Sequence, residues 1–513
     1  MRRPIRNAGV VGGVIAATVA AAGAACEREA PPRPRSNHPH LSDVTIEPAP
    51  GTVKPPFAFT PEDDLFLDEV ARSAFDFLWK VNDPRTGMVP DRLTKPTVSV
   101  AGVGFQLSGI CIGVERGWIT RAQGEERATL ILRSLSGTPE NRKAGMFYHF
   151  VDAATAGQPV DAYEHVVSTV DSALLFSGIL TASQYFGGEV ATMGDALFGA
   201  ADWTFFVAGE EADPFDQGFI TLGWKPTDKA APTGEGALLP FYWIDNGDEH
   251  RLVTFLAACA PVDAHRVDPI TYYRMRRQIG NYGDSGPMVW FPWSGALFTS
   301  FFAHCWIDYS AMGTDNPAAF EVANRPRVDW WENSRRHVGM HRQKAIENPQ
   351  KLPGFGENAW GLTASDVATG YAVPGLFPDP LPAPGSIPRL DVAVSGPTDG
   401  KDQWGDGTLA PYGAGSAVMF EPAAAVAALR HYRSLTRSDG SSLAWSDPSS
   451  GGYGFRDAFN VGTGWAAEEY LAIDQGPLLL AIENARTGLI WRLFHEHPVV
   501  KAGMARLKLT RTR

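Results

Sequence analysis

Hydrophobic residues recur every three or four positions along much of this chain, a spacing that places them on one face of a helix. The clearest example follows Thr60, where Pro61-Glu62-Asp63 supplies a proline at the first helical position and acidic residues in the first turn. The apolar spacing then continues from Leu67 to Val81 and stops before Asn82-Asp83-Pro84. The sequence therefore predicts an amphipathic helix over this stretch.

Similar periodic segments follow along the rest of the chain. A capping box at Thr120-Arg121-Ala122-Gln123 opens a second helix that runs toward Leu135. Further helices are predicted from Val170 to Phe186, Glu249 to Cys259, Val328 to Ile346, Ala423 to Tyr432 and Leu478 to Phe494. Alternating patterns typical of strands are few. About twelve helices joined by loops of unequal length indicate an all-α domain, and this count is typical of an (α/α)6 barrel.

One segment between these helices, from Leu376 to Pro411, is rich in proline and glycine. A linker between two domains is one interpretation, but motif-bearing segments flank it on both sides. Long loops inside a compact domain are usually functional or disordered. We therefore expect an active-site loop within one catalytic domain that spans residues 57–513.

The N-terminus has the pattern of an export signal. Three arginines precede an apolar run from Val10 to Ala25 that is too short and glycine-rich for a comfortable membrane span. Gly23-Ala24-Ala25-Cys26 resembles a bacterial lipoprotein cleavage site, which predicts a signal peptide over residues 1–25 and membrane anchoring through a lipidated Cys26. Plain cleavage with secretion and an uncleaved anchor are the alternatives. The Pro-rich stretch over residues 26–56 is predicted to be an extended tether.

Charge and motif content exclude several classes of function. A net charge of −12 without a long basic run gives no electrostatic basis for binding nucleic acid. No nucleotide fingerprint lies in the mature chain, so no organic cofactor is expected. His337 and His341 are spaced like zinc ligands, but Val338 replaces the general-base glutamate of a metalloprotease, and a solvated helix face is the favoured interpretation. We expect no metal.

The remaining cysteines each lie in an apolar segment, and their odd number argues against a disulfide framework in an exported protein. They are Cys111, Cys259 and Cys305. We predict buried free thiols at all of these positions.

Acidic residues beside tryptophans are the most suggestive feature of the composition. The chain has 15 tryptophans, and several of them lie close to aspartate or glutamate. Hydrolysis of a glycosidic bond needs one carboxylic acid and one carboxylate, while aromatic rings stack on the apolar faces of sugars. Composition alone supports a sugar site weakly, since the tryptophans could equally belong to an ordinary core.

A set of motifs that occur in order between about residues 65 and 495 strengthens this interpretation. The motifs are Phe75 to Trp79, Thr86 to Arg92, Ser168 to Leu175, Gly354 to Asp366, Tyr453 to Asn460, Ile473 to Pro477, Ile482 to Asn484 and Arg486 to Gly488. They resemble the bacterial glycoamylase-like family, which includes the β-1,2-glucanases of glycoside hydrolase family 144 and relatives fused to cyclic β-1,2-glucan synthases. The segments Trp360 to Asp366 and Ile473 to Pro477 are the most specific.

The resemblance implies an (α/α)6 barrel and an inverting mechanism in which the general acid is a glutamate at the start of a helix that runs on to a proline. Here the segment from Glu249 to Pro261 has that length, so the resemblance assigns the acid to Glu249. The sequence departs from the family just upstream, where Trp243 to Asp248 replaces a more usual Trp, Gly, Tyr, Asn run. This departure bears on the leaving-group subsite and hence on the linkage.

Asp474 is the best candidate for the catalytic base, because an acid followed by Gln-Gly-Pro at the mouth of an apolar helix is unusual for packing. Helix capping is the alternative for Asp474, and capping and substrate binding are equally supported for Asp171. The other residues expected to line the sugar subsites are Asp91, Arg92, Trp306, Asp308, Glu357, Trp360 and Asp366.

Together these features predict an exported glycoside hydrolase that acts on a glucan, with β-1,2-glucan the favoured substrate. A hydrolase or transglycosylase of the same fold on another glucan is the nearer alternative. A non-catalytic glucan-binding lipoprotein is the more distant one, since it would keep the aromatic residues and could dispense with Glu249 and Asp474.

Overall fold

The computed structural model describes residues 44–159, 164–212, 216–291, 293–323, 325–380 and 401–512. The signal peptide, Cys26, the first part of the tether and most of the predicted active-site loop lie outside the described residues. Helices dominate the described part, and their bounds are α1 (Pro61–Lys80), α2 (Val100–Glu115), α3 (Arg121–Gly137), α4 (Thr169–Phe186), α5 (Gly188–Gly199), α6 (Asp248–Cys259), α7 (Ile270–Arg274), α8 (Trp330–Glu347), α9 (Pro411–Ser416), α10 (Pro422–Ser434), α11 (Ala472–Arg486), α12 (Leu489–Glu496) and α13 (Pro498–Arg506).

These helices form the (α/α)6 barrel that the sequence predicts. The inner ring of the barrel contains five helices in the described residues, α2, α4, α6, α9 and α11. The 3-10 turns at Leu297–Ser300 and Ala303–Cys305 occupy the sixth position, and adjacent members of the ring pack side by side. The outer layer consists of α1, α3, α5, α8 and α10, with α7 and α13 beside α6. The inner helices α2 and α4 are buried almost around their whole circumference, which explains their nearly continuous apolar sequence.

Capping residues fix where several helices begin. Thr60 accepts a hydrogen bond from the Asp63 N–H at the start of α1, and the predicted capping box of Thr120 and Gln123 is formed at the start of α3. The predicted helix from Leu478 to Phe494 is instead two helices, α11 and α12. Gly488 separates them with a φ of 66°, a left-handed conformation that favours glycine.

The sequence patterns did not predict the short strands in the connecting segments, because two to four residues are too few to show an alternation of apolar and polar positions. They are β1 (Thr45–Ile46), β2 (Thr97–Ser99), β3 (Arg142–Lys143), β4 (Met146–Phe147), β5 (Phe150–Asp152), β6 (Val167–Ser168), β7 (Gly223–Pro226), β8 (Gly236–Leu238), β9 (Ile279–Asn281), β10 (Met288–Val289), β11 (Arg327–Val328), β12 (Ser365–Val367), β13 (Gly370–Ala372), β14 (Asp379–Pro380), β15 (Trp445–Ser446), β16 (Gly454–Phe455), β17 (Phe459–Asn460) and β18 (Trp465–Ala466).

Several of these strands join at the end of the barrel where the inner helices begin. Strand β2, which pairs antiparallel with β5, directly precedes α2, and β6, an edge strand of the sheet β6-β7-β8, directly precedes α4. The hairpin of β12 and β13 places Asp366 opposite Tyr371. These small sheets hold the loops of the barrel mouth in defined positions.

The last part of the predicted tether packs on the barrel. Strand β1 pairs in parallel with β11, and Ile46 is completely buried. Lys54 forms an ion pair of 2.8 Å with Asp329, and the Phe57 N–H donates to the carbonyl of Ala485. Strand pairing, an ion pair and a backbone hydrogen bond therefore hold residues 45–57 on the barrel, in a segment whose composition alone indicated an extended tether.

Two further groups of residues lie in the interior. Cys111, Cys259 and Cys305 are buried and free, as predicted. His337 and His341 are buried rather than solvated, because the outer helix α8 turns this face toward the segment that begins at Gly295. His337 Nδ1 lies 2.6 Å from Ser300 Oγ, and His341 Nε2 lies 2.9 Å from the Gly295 carbonyl. No helix of the described residues is long and apolar enough to span a membrane.

Candidate active site

Acidic side chains gather at the barrel mouth because several inner helices begin there. Asp171 lies in the first turn of α4, Glu249 in the first turn of α6 and Asp474 in the first turn of α11. The N-terminus of a helix carries a partial positive charge that favours nearby carboxylates. The fold thus brings three predicted residues from separate parts of the chain to one end of the barrel.

Glu249 is 5% exposed, and none of the described residues forms a hydrogen bond with its carboxyl group. Burial, followed by the charges of Asp171 and Asp248, raises the pKa of Glu249 to about 8. A carboxylic acid with this pKa holds its proton at neutral pH and can donate it to a leaving group. The environment of Glu249 is therefore that of a general acid.

The neighbouring Asp248 has a different environment. Its Oδ2 accepts hydrogen bonds from the backbone N–H groups of Ala303 and His304, and its Oδ1 pairs with Arg251. Burial opposes ionisation, but the charges of His304 and Arg251 lower the pKa of Asp248. Asp248 thus joins α6 to the adjacent inner segment, and its negative charge acts on Glu249.

Asp171 faces a histidine that the sequence analysis did not select. His149 Nε2 lies 3.4 Å from Asp171 Oδ1, and His149 Nδ1 lies 2.5 Å from Glu164 Oε1. Burial lowers the pKa of His149, but the charges of Asp171 and Glu164 outweigh it and raise the pKa to about 9. An imidazolium ion therefore lies between two carboxylates at neutral pH.

Arg92 connects this region to the opposite side of the mouth. Its Nη1 donates hydrogen bonds of 2.7 and 2.8 Å to the two carboxylate oxygens of Asp366, and its Nε lies 3.5 Å from Asp91 Oδ2. Asp91 is buried, and the charges of His149, Asp171 and Asp457 also act on its carboxyl group. Asp91 and Arg92 thus form the centre of one continuous group of charges.

A pair of buried aspartates lies beyond Arg92. Asp457 and Asp474 are almost completely buried, and the Asp457 side chain lies close enough to Asp474 to act on its carboxyl group. Burial, and then the charge of Asp457, raises the pKa of Asp474 well above its usual range. Burial and Asp457 also raise the pKa of Asp366 to about 6. Both Asp474 and Asp366 therefore take up a proton more readily than an exposed aspartate does.

The structure also decides between capping and other roles. Leu471 is the N-cap of α11 and no side chain caps this helix, so Asp474 is not a capping residue. Ser168 is the N-cap of α4, and its hydroxyl lies 2.5 Å from Asp171 Oδ2. The Asp171 carboxylate therefore accepts the hydroxyl of the cap rather than capping the helix itself, and its other oxygen faces His149.

Two tryptophans predicted to line sugar subsites belong to the core. Trp306 is completely buried; its Nε1 donates to Ser108 Oγ and its ring packs 4.8 Å from that of Phe105. Trp360 is also completely buried, and its backbone N–H and carbonyl both bond to the Tyr432 hydroxyl. Neither ring presents a face for a sugar, because the packing of the barrel already covers both.

Two predicted acids lie away from the charged group as well. Asp308 pairs with Arg511 at 2.8 Å and accepts a hydrogen bond from Ser310. The Glu357 side chain is 72% exposed and pairs with Arg342 on the outer helix α8. Each of these acids is occupied by a local ion pair. Proximity in sequence to a tryptophan does not determine which face of the barrel an acid reaches.

Partly exposed aromatic residues lie around His250, the residue that follows Glu249 in α6. The His250 ring packs 4.2 Å from that of Trp243 and 4.5 Å from that of Phe291, and Phe291 in turn contacts Trp293. Phe291 and Trp293 are only half-buried. The half-buried Tyr371 lies on the opposite side, with its ring 5.7 Å from the Arg92 guanidinium. These rings are better placed to contact a sugar than Trp306 or Trp360.

The segment from Trp243 to Asp248, which departs from the family pattern, is held by an ion pair and a hydrogen bond of Asp245. Asp245 Oδ2 lies 2.5 Å from Arg276 Nη2, and the Asp245 carbonyl is 2.7 Å from His250 Nδ1. The segment therefore helps to orient the aromatic residues next to Glu249. Among the residues that the structure describes, no group of three or more histidine, cysteine, aspartate or glutamate side chains is arranged to hold a metal ion.

Comparisons with known proteins agree with this geometry. The model of the family "Glycoamylase", described as "Putative glucoamylase", matches residues 241–498. An exo β-1,2-glucooligosaccharide sophorohydrolase (non-reducing end) from Parabacteroides distasonis is 27% identical over 482 residues, which cover 87% of this chain. The chain spans 58% of the length of this curated relative.

Solved structures show the same fold. The crystal structure of a β-1,2-glucanase from Parabacteroides distasonis superposes with a TM-score of 0.70 at 25% identity, covering 88% of this chain and 60% of that chain. An endo-β-1,2-glucanase from Chitinophaga pinensis superposes with a TM-score of 0.68 at 24% identity, covering 88% of this chain and 99% of that chain. The barrel is therefore shared along nearly the whole described length.

Proposed function

Because the chain belongs to the Glycoamylase family, we propose that it is an inverting glycoside hydrolase that cleaves β-1,2-glucan. The buried Glu249 in the first turn of α6, across the barrel mouth from the buried Asp457 and Asp474, is the observation that carries the proposal. The choice of β-1,2-glucan rests on the two relatives from Parabacteroides distasonis, a sophorohydrolase and a β-1,2-glucanase.

Glu249 acts as the general acid in this proposal. It would protonate the glycosidic oxygen as the bond breaks, because burial keeps its proton in place until the substrate arrives. The absence of a hydrogen bond to its carboxyl group from the described residues leaves the proton free for that oxygen. Asp171 supports the protonated state, since its negative charge disfavours a second one nearby.

The pair of Asp457 and Asp474 would supply the base. In an inverting reaction a carboxylate removes a proton from the water that attacks the anomeric carbon. Asp474 lies against Asp457, so the attacking water would be activated at these two neighbouring carboxyl groups. Arg92 and Asp366 lie beside it and fix its surroundings, and the Asp366 N–H donates to Asp457.

Sugar hydroxyl groups would be bound by the remaining charged residues of the mouth, Asp91, Arg92 and Asp366. Carboxylates accept hydrogen bonds from sugar hydroxyl groups, and a guanidinium donates hydrogen bonds to sugar hydroxyl oxygens. Neighbouring carboxylates and guanidinium groups can therefore bind a polyol. The half-buried rings of Trp293 and Tyr371 would contact the apolar faces of the sugar rings on the two sides of Glu249 and Asp474.

Product analysis tests the proposal directly. The mature protein is incubated with purified β-1,2-, β-1,3-, β-1,4- and α-1,4-glucans, and the products are separated by thin-layer chromatography. We expect short β-1,2-linked oligosaccharides from the first substrate alone, with Glu249→Gln as the inactive control. Sophorose as the sole first product would indicate exo action, and a ladder of lengths endo action. Release of sugar only from another glucan would contradict the proposed substrate.

We also propose that the protein is exported and anchored by lipid on Cys26, with the periplasm or a membrane surface as its location. The support is the sequence pattern of the N-terminus and of the segment around Cys26. A detergent partition assay should place the wild-type protein in the detergent phase and Cys26→Ala in the aqueous phase. Intact mass without added acyl chains would contradict lipidation but leave export possible.

A further inference from the structure

Histidine 149 lies in the barrel mouth without a role in the reaction proposed above. It follows β4, and its backbone is fixed on both sides: its N–H donates to the carbonyl of Val166, and its carbonyl accepts from the N–H of Val100 at the start of α2. The His149 ring stacks on the Phe150 ring with a centroid distance of 3.8 Å and an interplanar angle of 22°. The orientation of this imidazole is therefore determined by the fold.

Both ring nitrogens face a carboxylate. Nδ1 lies 2.5 Å from Oε1 of Glu164, and Nε2 lies 3.4 Å from Oδ1 of Asp171. All three side chains are nearly excluded from water, with side-chain exposures of 6% for His149, 12% for Glu164 and 6% for Asp171. Ion pairs in such a place are only slightly screened by solvent. The geometry is that of a linear array in which a cation separates two anions.

We propose that His149 and Glu164 are positioning residues that fix the Asp171 carboxylate next to the general acid Glu249; this inference rests on the glycosidase function proposed above. Asp171 has one oxygen on the Ser168 hydroxyl and the other toward His149, so both of its oxygens are oriented. Removing His149 would leave one oxygen without its partner, and the carboxylate could rotate about its side-chain bonds.

The charge on Asp171 matters as much as its orientation. A buried carboxylate without a cation tends to take up a proton, and a protonated Asp171 would no longer act on Glu249 as a negative charge. The imidazolium ion of His149 opposes this protonation. Asp91 and Glu164 are the other charged groups that face His149, and both favour its cationic form.

The array therefore separates two tasks at the acid end of the site. Glu249 holds the proton that is transferred to the glycosidic oxygen. Asp171 keeps that proton on Glu249 before the reaction, and His149 with Glu164 keeps Asp171 ionised. This division predicts that the effect of His149 on catalysis passes through Asp171.

A double-mutant cycle with β-1,2-glucan tests this dependence. We expect His149→Gln to lower kcat/KM by about tenfold in the wild-type background, and by less than about twofold in an Asp171→Asn background. The basic limb of the pH profile should move to lower pH in His149→Gln, as in Asp171→Asn, because a protonated Asp171 no longer raises the pKa of Glu249. His165→Gln is the matched control, since this neighbouring ring contacts Gln158 at 3.4 Å and lies outside the array.

An independent measurement keeps the inference testable if a variant folds poorly or if the glucan is not a substrate. NMR titration of ¹³C,¹⁵N-histidine-labelled wild-type protein should show His149 titrating near pH 9, with the signal assigned by its loss in His149→Gln. Asp171→Asn and Glu164→Gln should each lower that pKa, because each removes an anion that stabilises the imidazolium.

The outcomes separate the two proposals. If the wild-type protein releases no sugar from β-1,2-glucan but His149 titrates near pH 9, the proposed substrate is wrong and the array stands. If the enzyme is active but His149→Gln and His165→Gln behave alike, the inference is wrong and the function stands. A wild-type His149 that titrates below about pH 7 would contradict the inference in either case.

Discussion

The backbone N–H of Asp366 donates a 2.8 Å hydrogen bond to Oδ2 of Asp457. This bond joins two halves of the candidate site, because the Asp366 carboxylate is held by Arg92 while Asp457 is paired with Asp474. A hydrogen bond from a backbone amide favours the charged form of a carboxylate. Asp457 lies between the Asp366 amide on one side and Asp474 on the other, and burial and then the charge of Asp457 raise the pKa of Asp474.

The first prediction concerns the base. Asp457→Asn and Asp474→Asn should each lower kcat by about a hundredfold or more, because each change removes one carboxyl group of the pair that would activate the water. Steady-state assays on β-1,2-glucan would measure this loss. Asp447→Asn is the control, since Asp447 only caps a surface turn at Ser449. Full activity in Asp474→Asn, with loss in Asp457→Asn, would leave Asp457 as the base by itself.

A second prediction follows from the pKa of Glu249. Since burial and the nearby charges of Asp171 and Asp248 raise that pKa to about 8, the acid is protonated below pH 8 and loses its proton above it. We expect kcat/KM to fall on the basic side with an apparent pKa near 8. Asp171→Asn removes a negative charge and should move this limb to lower pH. A basic limb that stays in place would argue against electrostatic coupling of the two residues.

Glu249 should also affect stability, and the direction depends on pH. The folded protein keeps the Glu249 proton up to about pH 8, whereas the unfolded chain releases it near 4.5. Between these values the unfolded chain binds fewer protons, so the free energy of unfolding falls as pH rises. Glutamine cannot ionise, so Glu249→Gln does not lose stability in this way as pH rises. The variant should melt at a higher temperature than wild type at pH 8.5, but at the same temperature at pH 4.5.

Thermal unfolding followed by circular dichroism at both pH values measures this difference. Glu189→Gln is the matched control, because Glu189 lies on the outer helix α5, forms only an exposed ion pair with Arg133 and should show no such pH-dependent change. Equal melting temperatures of wild type and Glu249→Gln at pH 8.5 would mean that Glu249 is not kept protonated by the fold.

Periodicity and motif order were sufficient to predict the barrel, because inner helices such as α2 and α4 bury nearly all of their residues and therefore have long apolar sequences. Asp171 could be selected because it precedes an apolar helix, and Glu249 because the family resemblance places the general acid at the start of a helix that runs on to a proline. Their position is local to a helix, and the barrel topology brings the starts of alternate helices together.

The residues that the sequence analysis missed or misplaced depend on contacts between distant segments. His149 follows a two-residue strand and becomes notable only when Glu164 and Asp171 approach its ring. Asp457 lay within a recognised motif, but only its contacts with Asp366 and Asp474 distinguish it from other motif acids. A tryptophan such as Trp306 has the same sequence signature in a core as in a sugar site, so burial alone separates the two.

That separation gives a further prediction. Trp306→Ala should destabilise the protein by about 3–5 kcal/mol, because it removes a completely buried indole. Trp293→Ala should leave the melting temperature almost unchanged but raise KM by about tenfold, because the half-buried ring contacts Phe291 beside Glu249. Denaturant unfolding and steady-state kinetics of both variants test the contrast. A large rise in KM for Trp306→Phe at unchanged stability would restore Trp306 as a sugar contact.

The last prediction concerns the stereochemistry of the first product. An inverting hydrolase holds its acid and base roughly 6.5 to 9.5 Å apart so that a water molecule fits between base and anomeric carbon, whereas a retaining enzyme brings them to about 5 Å. Glu249 and the pair of Asp457 and Asp474 belong to different inner segments of the barrel, with Arg92 and Asp91 between their charge networks. Water can therefore act from the side opposite Glu249. Cleavage of a β bond should give the α anomer first, which proton NMR can observe before mutarotation. A β anomer as the first product would instead indicate a covalent intermediate, with one of these aspartates as nucleophile.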